Sequence, residues 1–212
     1  SDDLNIRITK NDLILFKYLF ESTFLTRDMI RNHIWKNRGN SSINSRLWKL
    51  TKKDFLKKIP DPCSYTKSLL LPTEKALIFT DIKEILLEDI KRNNKIKQKY
   101  FFPISDYKVD EFKLSNYKHD KNLIKLRLII EEYGAYNWIS EKMIYRTMNI
   151  KKIPDGIFEM NNKIFALEYE RNLKRPYRYK EVIKKYNDLT FIDYVIYVIP
   201  SNKIRFFKKD FH

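Results

Sequence analysis

Residues 154–172 read PDGIFEMNNKIFALEYERN. The two apolar runs in this stretch have the period of strands and are joined by the turn Asn161-Asn162-Lys163. On the second strand Phe165, Leu167 and Tyr169 point one way, and Ala166, Glu168 and Glu170 point the other, because strand side chains alternate. Asp155 stands on the first strand and comes beside Glu168 when the hairpin closes tightly around Asn161-Asn162. Three carboxylates on one face repel each other unless a divalent cation or basic side chains neutralise them. Asp155 and Glu168 are the candidate metal ligands, and an oxygen-rich site of this kind suits Mg²⁺ or Mn²⁺. Such an ion can activate water and steady the phosphate charge in phosphodiester hydrolysis. The plainer alternative pairs Glu168 and Glu170 with Arg171, Lys174, Arg175 or Arg178 at the start of the next helix, in surface ion pairs worth little.

Around this hairpin the pattern is that of an α/β layer with a mixed sheet. Upstream, "HDKNLIKLRLIIEEY" carries Leu123, Leu126, Ile129 and Ile130 at helical spacing. "NWISEKMIYRTM" is a short helix or strand lead-in with Trp138 and Ile144 inward. Downstream, "RPYRYKEVIKKYNDL" predicts a helix with Pro176 in its first turn. "DYVIYVIP" is the continuous apolar run of a buried central strand, and "KIRFFKKDF" a final edge strand or tail.

The first part of the chain reads differently. Leu13, Phe16, Leu19 and Phe20 share one face of a helix. Thr26 stands as an N-cap before a second helix with Met29, Ile30, Ile34 and Trp35 inward. Ser41 or Ser42 caps a third, with Ile43, Leu47, Trp48 and Leu50 inward. "LKKIPDPCSYTKSLLLPTEKALIF" is extended, turned at Pro60 and Pro62, extended again, and then helical from "TEKALIF". Three short helices followed by a hairpin make a winged helix-turn-helix, with the third helix entering the major groove. Its polar side presents Asn44, Ser45, Arg46, Lys49, Lys52 and Lys53, and the second helix adds Arg27 and Arg31. Asn and Arg can read base edges bidentately, whereas lysines suit phosphates. An ordinary three-helix bundle with a solvated face, or a protein-contact module, is the alternative. The expected organisation is therefore α+β and α/β in two domains: residues 1–81 a winged helix, 82–116 a helical and irregular linker, and 117–212 the α/β domain. The helix expected over 82–100 is either packed on the first domain or a contact in a homodimer.

Composition narrows the partner. The net charge is +16, with +6 in residues 1–81 and +8 in residues 117–212. Such an excess favours a polyanion, nucleic acid first and an acidic membrane surface second. No apolar run reaches the roughly 18 residues of a membrane span. The single cysteine, Cys63, excludes an internal disulfide and fits a reducing, cytoplasmic compartment. His33, His119 and His212 are too widely spaced for a zinc site, and no phosphate-binding glycine loop occurs. The chain opens on Ser1-Asp2-Asp3 rather than Met, as a trimmed or tagged start does.

In its layout the chain resembles the PD-(D/E)xK nuclease superfamily. More closely it resembles the replication-relaxation family of plasmid and mobile-element proteins, in which a winged helix precedes a degenerate nuclease-like domain. The matching pieces are "LTRDMIRNHIW", "INSRLWKL", His119-Asp120 opening a helix, "WISEKMIYR", "PDGIF" and "ALEYERN". The resemblance implies a double-stranded DNA-binding protein of a plasmid or phage acting in replication, mobilisation or transcriptional control. By position Asp155 and Glu168 match the metal-binding acids of the nuclease superfamily, and Glu131 or Glu132 its further helical acid. Glu170 stands where the nuclease lysine would be, so an active site of Asp155, Glu168 and Glu170 needs Lys174, Lys180 or Lys184 to reach in from the next helix. An Mg²⁺- or Mn²⁺-dependent endonuclease or nickase, and an adaptor in a replication or conjugation complex, are the competing expectations.

Overall fold

The computed structural model describes residues 6–79, 108–171, 175–199 and 203–208. These fall into two compact units, one of residues 6–79 and 108–117 and the other of the described residues from 118 onward. Both are mixed α+β, each built on its own sheet.

In the first unit α1 (Lys10–Ser22) is closed at its N-terminus by a reciprocal box. Thr9 N donates to Asp12 Oδ2 at 2.7 Å, and Asp12 N donates to Thr9 Oγ1 at 3.3 Å. β1 (Leu25–Thr26) leads into α2 (Arg27–Met29), whose first turn is capped by the Thr26 hydroxyl, 3.2 Å from Met29 N. A π turn over Ile30–Ile34 follows. α3 spans Asn40–Lys52, with Gly39 as its N-cap. The expected serine caps are not used: the helix starts ahead of Ser41 and Ser42, and both serines are exposed in its first turn. β2 (Leu56–Asp61) and β3 (Ser64–Pro72) form an antiparallel hairpin, β1 pairs with the other side of β3, and α4 (Glu74–Phe79) follows. Leu15, Phe16, Leu19, Ile43, Leu47, Leu50 and Leu69 fill the core. Trp48 was expected inward but is 52% exposed. Ile43, Leu47 and Leu50 already complete the inward face, and Trp48 lies about 100° further round the helix from Leu47.

Arg46 also departs from its expected place. Its Nε donates to Asp12 Oδ1 at 3.0 Å, its Nη2 to Asp12 Oδ2, and Nη2 also to the Arg7 carbonyl at 2.7 Å. Asp12 is fully buried, so this fork ties α3 to the start of α1 and supplies the counter-charge a buried carboxylate requires.

The second unit is a five-stranded sheet in the order β4-β5-β6-β7-β8. Its elements are α5 (Tyr117–Glu132, whose first residue belongs to the first unit), β4 (Tyr136–Ser140), α6 (Glu141–Thr147), β5 (Gly156–Met160), β6 (Lys163–Tyr169), α7 (Pro176–Tyr186), β7 (Tyr194–Ile199) and β8 (Lys203–Lys208). β6 and β7 run parallel and every other pair antiparallel, so the sheet is mixed. Asn161 and Asn162 have φ of 51° and 60°, the left-handed pair that a two-residue hairpin turn demands. That turn sets Met160 opposite Lys163 and Gly156 opposite Leu167. On one face a row of stacked rings crosses four strands: Trp138 to Phe158 at 6.1 Å, Phe158 to Phe165 at 5.2 Å, and Phe165 to Tyr194 at 5.2 Å. Leu123, Leu126 and Ile130 of α5 pack on this row, while Ile129, expected beside them, is 47% exposed, and Ile124 and Leu128 are buried in its stead. Against the other face α7 lays Tyr179, edge-on to Tyr197 at 5.2 Å, and Tyr186.

The helix expected over 82–100 lies outside the described residues. Residues 108–113 are irregular and Leu114–Asn116 form a 3₁₀ turn. No helix among the described residues is long and apolar enough to cross a membrane.

The Arg46–Asp12 fork gives a direct test. Arg46→Ala leaves the Asp12 carboxylate buried without its cation and is expected to cost about 3 kcal/mol in urea unfolding. Asp12→Ala combined with Arg46→Ala should cost clearly less than the sum of the two single changes; strict additivity would mean that the pair does not couple α1 to α3.

Candidate functional site

The hairpin register builds the acidic site. Beyond the end of β5 the ladder continues for one residue, with Asp155 N donating to the Leu167 carbonyl at 3.0 Å. The Asp155 side chain turns back onto β6, and its Oδ2 accepts from Tyr169 N at 2.6 Å. Glu168, on the face of β6 opposite Leu167, is buried. Its Oε1 accepts from the Tyr186 hydroxyl of α7 and lies 2.5 Å from Lys152 Nζ. Lys152 comes from the segment just before the Pro154-Asp155 pair. Its ammonium sits 5.8 Å over the Tyr186 ring and also donates to the Ile153 carbonyl at 2.9 Å.

Asp155 has a second neighbour. His119, in the first turn of α5, places Nε2 3.7 Å from Asp155 Oδ1 and Nδ1 3.3 Å from Asp120 Oδ1. Its ring lies 5.4 Å from that of Tyr169, whose hydroxyl accepts from Asn122 Nδ2 at 2.9 Å.

Burial governs how these groups titrate. It pushes Asp155 up to about 6; the charges of Glu168 and Glu141 add to the shift, and the Tyr169 N–H and His119 oppose it. The hydrogen bond with Asp120 raises His119, the Asp155 charge adds to it, and desolvation works against it. Burial raises Glu168 as well, with Lys152 and the Tyr186 hydroxyl pulling it back toward the ionised form. Tyr186 and Tyr197 are both pushed upward, first by burial and then by the charge of Glu168, and the Tyr186 hydroxyl donates to Glu168.

The predicted acids therefore divide. Asp155 and Glu168 are brought together closely enough for their charges to act on each other. Glu170 lies past the end of β6, where its N–H donates to the Val198 carbonyl at 2.9 Å. Glu131 pairs with Arg127 along α5 at 2.9 Å, and Glu132 is exposed. Lys180 and Lys184 are exposed on α7, and Lys174 lies outside the described residues. The cation on Glu168 is Lys152. Sequence reasoning passed over it because it belongs to no strand or helix; the signal available was that a buried Glu168 demands a cation and that Lys151-Lys152 flanks the hairpin.

This arrangement does not fit a divalent metal. Among the described residues no group of three or more His, Cys, Asp or Glu side chains is placed to hold one. The Glu168 oxygen that would ligate the ion already receives an ammonium and a hydroxyl, and one Asp155 oxygen is committed to a backbone N–H.

The first unit carries a contrasting surface. On α3, Asn44, Ser45, Trp48, Lys49 and Lys52 are exposed and Lys53 is half-buried, with the Lys52 ammonium 6.0 Å from the Trp48 ring. Lys57, Lys58 and Lys67 are exposed on the hairpin, and Tyr65 near its tip is fully exposed. Arg27 is exposed, whereas Arg31 is half-buried and lies 3.5 Å from Asp28. Comparison with protein-family models, with curated proteins and with solved structures gave no match to this chain.

Two outcomes follow from the acidic site. Because Asp155 is raised to about 6 in the folded chain from 3.8, the native state holds a proton that the unfolded chain has released between those values. Its contribution to stability is full below about pH 4 and is lost as pH rises through about 6, a change of at most about 3 kcal/mol. Asp155→Asn should remove that slope from the pH profile of urea unfolding; an unchanged profile would show that Asp155 titrates normally. Independently, thermal unfolding of the wild type should be indifferent to added Mg²⁺ or Mn²⁺, while Lys152→Ala should lower the melting temperature in either buffer. A metal-dependent rise in the wild type would show that an ion displaces Lys152.

Proposed function

We propose that this chain is a double-stranded DNA-binding protein whose second unit is a nuclease-like platform that does not cut. The first unit acts as a winged helix, with α3 presented to the major groove and the β2–β3 hairpin as its wing. The observation that carries this reading is the exposed face of α3, where Asn44, Ser45, Trp48, Lys49 and Lys52 stand together, with Lys58 of the hairpin lining the same cleft as Asn44 and Trp48. Lysines set on a ridge and its flank suit phosphates on either side of a groove, and an Asn between them suits adenine. The Arg46 fork removes a base reader from the expected set, which leaves Asn44 and Ser45 as the polar groups for base edges. For the second unit, the support is the neutralisation of Glu168 by Lys152, which takes up the acid that hydrolysis would need for an ion.

The resemblance to the replication-relaxation family supports a place on a plasmid or phage element, in replication, mobilisation or transcriptional control within the cytoplasm. Homodimer formation and contacts with replication or conjugation proteins belong to the same reading.

The deciding experiment is a gel shift of supercoiled plasmid and linear duplex, run with Mg²⁺ and Mn²⁺ so that nicking is seen in the same lanes. Retardation without nicking is expected. Lys49→Ala and Lys52→Ala should each weaken binding on all sequences alike and reduce the slope of log affinity against log salt by about one. An absence of retardation at low salt would remove the proposal, and metal-dependent nicking lost in Glu168→Ala would replace it with an endonuclease.

A further inference from the structure

Between α3 and the β2–β3 hairpin lies a cleft of about 510 Å³. Leu47 and Leu70 are its buried apolar residues, Trp48 supplies an aromatic wall, and Asn44, Lys58 and Arg27 also line it. The edge of a duplex is convex and keeps its bases stacked inside, so it rides over a recess rather than filling it.

Trp48 is the informative residue. The other two tryptophans, Trp35 and Trp138, are 3% and 5% exposed, as large apolar side chains in a folded unit generally are. Trp48 leaves half its surface in solvent at the side of a concave site. The cleft also contains a carboxylate, Asp28, which would repel a phosphate. It is held by Lys67 at 2.9 Å and by Arg31 at 3.5 Å, and Lys67 is the first cause of its lowered pKa. Its charge is thereby offset inside the protein, and Arg27 and Lys58 are further cations at the same cleft.

An unpaired nucleotide has the three features that this cleft complements. Its base presents a π face for an indole and a polar edge for an amide, and its phosphate carries the charge that Arg27 and Lys58 attract. We propose that the cleft seats one unpaired base of single-stranded DNA, stacked on Trp48. The proposal rests on the DNA-binding reading above and deepens it: the chain recognises DNA where the duplex is open, not only where it is closed. Stacking on an aromatic side chain tolerates any base, so this seat contributes affinity for opened DNA rather than sequence choice.

The test uses the intrinsic fluorescence of the full chain, in which Trp48 is the exposed tryptophan among the three. Titration with oligothymidylate at low salt should quench the emission, and added salt should reverse it. Trp48→Phe should keep single-strand affinity within a few-fold, while Trp48→Ala should weaken it about tenfold or more. A duplex of matched length should quench less than the single strand at equal saturation. If oligothymidylate neither quenches nor binds while duplex is still retarded in a gel, the base seat is overturned and the DNA-binding reading stands. If single strand binds but Trp48→Ala binds it as well as the wild type, the seat is again overturned. If neither form of DNA binds, both readings fall.

Discussion

A carboxylate taken out of water must find a partner for its charge or give the charge up, and in the second unit that requirement converges on Glu168. Its side chain points from β6 into the layer between sheet and helix, where a lone anion would cost several kcal/mol. The ammonium of Lys152 and the hydroxyl of Tyr186 meet it there. Each comes from a different part of the chain, Lys152 from the loop ahead of β5 and Tyr186 from the last turn of α7. One ion pair and one hydrogen bond thus fix where a loop and a helix end must sit on the strand. Apolar side chains in place of such a cluster are often as stable, so what the ion pair and hydrogen bond add is position rather than stability.

The position of Asp155 has another origin. Two asparagines at left-handed φ close the β5–β6 turn, and that turn fixes the register in which Asp155 reaches Tyr169 N–H. A second restraint acts from the opposite edge. A Cβ added at Gly156 would fall 2.4 Å from the Trp138 ring, so the aromatic row that crosses the sheet needs glycine beside Asp155. The Pro-Asp-Gly run therefore combines a carboxylate held by its own hairpin with the backbone clearance that lets the neighbouring strand approach. Burial is what pushes this acid, like Glu168, above its ordinary titration, and His119, reaching from α5, pulls it part of the way back.

Most of the fold was legible because it is written in local signals. Thr26 before α2, Pro176 at the start of α7, the paired asparagines and the apolar run Tyr194–Ile199 each act through backbone geometry or periodicity within a few residues. The pairing of Asp155 with Glu168 follows from the same hairpin. What was not legible depends on partners distant in sequence. Arg46 read as a base reader because nothing near it in the chain shows that Asp12, on another helix, is buried and in need of a cation. Lys152 was overlooked for the same reason. Trp48 read as core because a tryptophan among apolar residues usually is; only the completed set of Ile43, Leu47 and Leu50 shows that the inward face has no room for it.

The same distinction separates the chain's cations by use. A net charge of +16 says only that a polyanion would be attracted; it does not say which side chains would meet it. Arg46 and Lys152 neutralise buried carboxylates within their own units, and Lys67 bridges to Asp28 across the cleft. Their charge is partly cancelled before any ligand arrives. Lys49, Lys52, Lys57 and Lys58 stand exposed on α3 and the adjoining hairpin. Under the DNA-binding proposal these exposed cations are the ones left to meet a phosphate backbone, whereas the cations at the buried acids are already engaged within their own units.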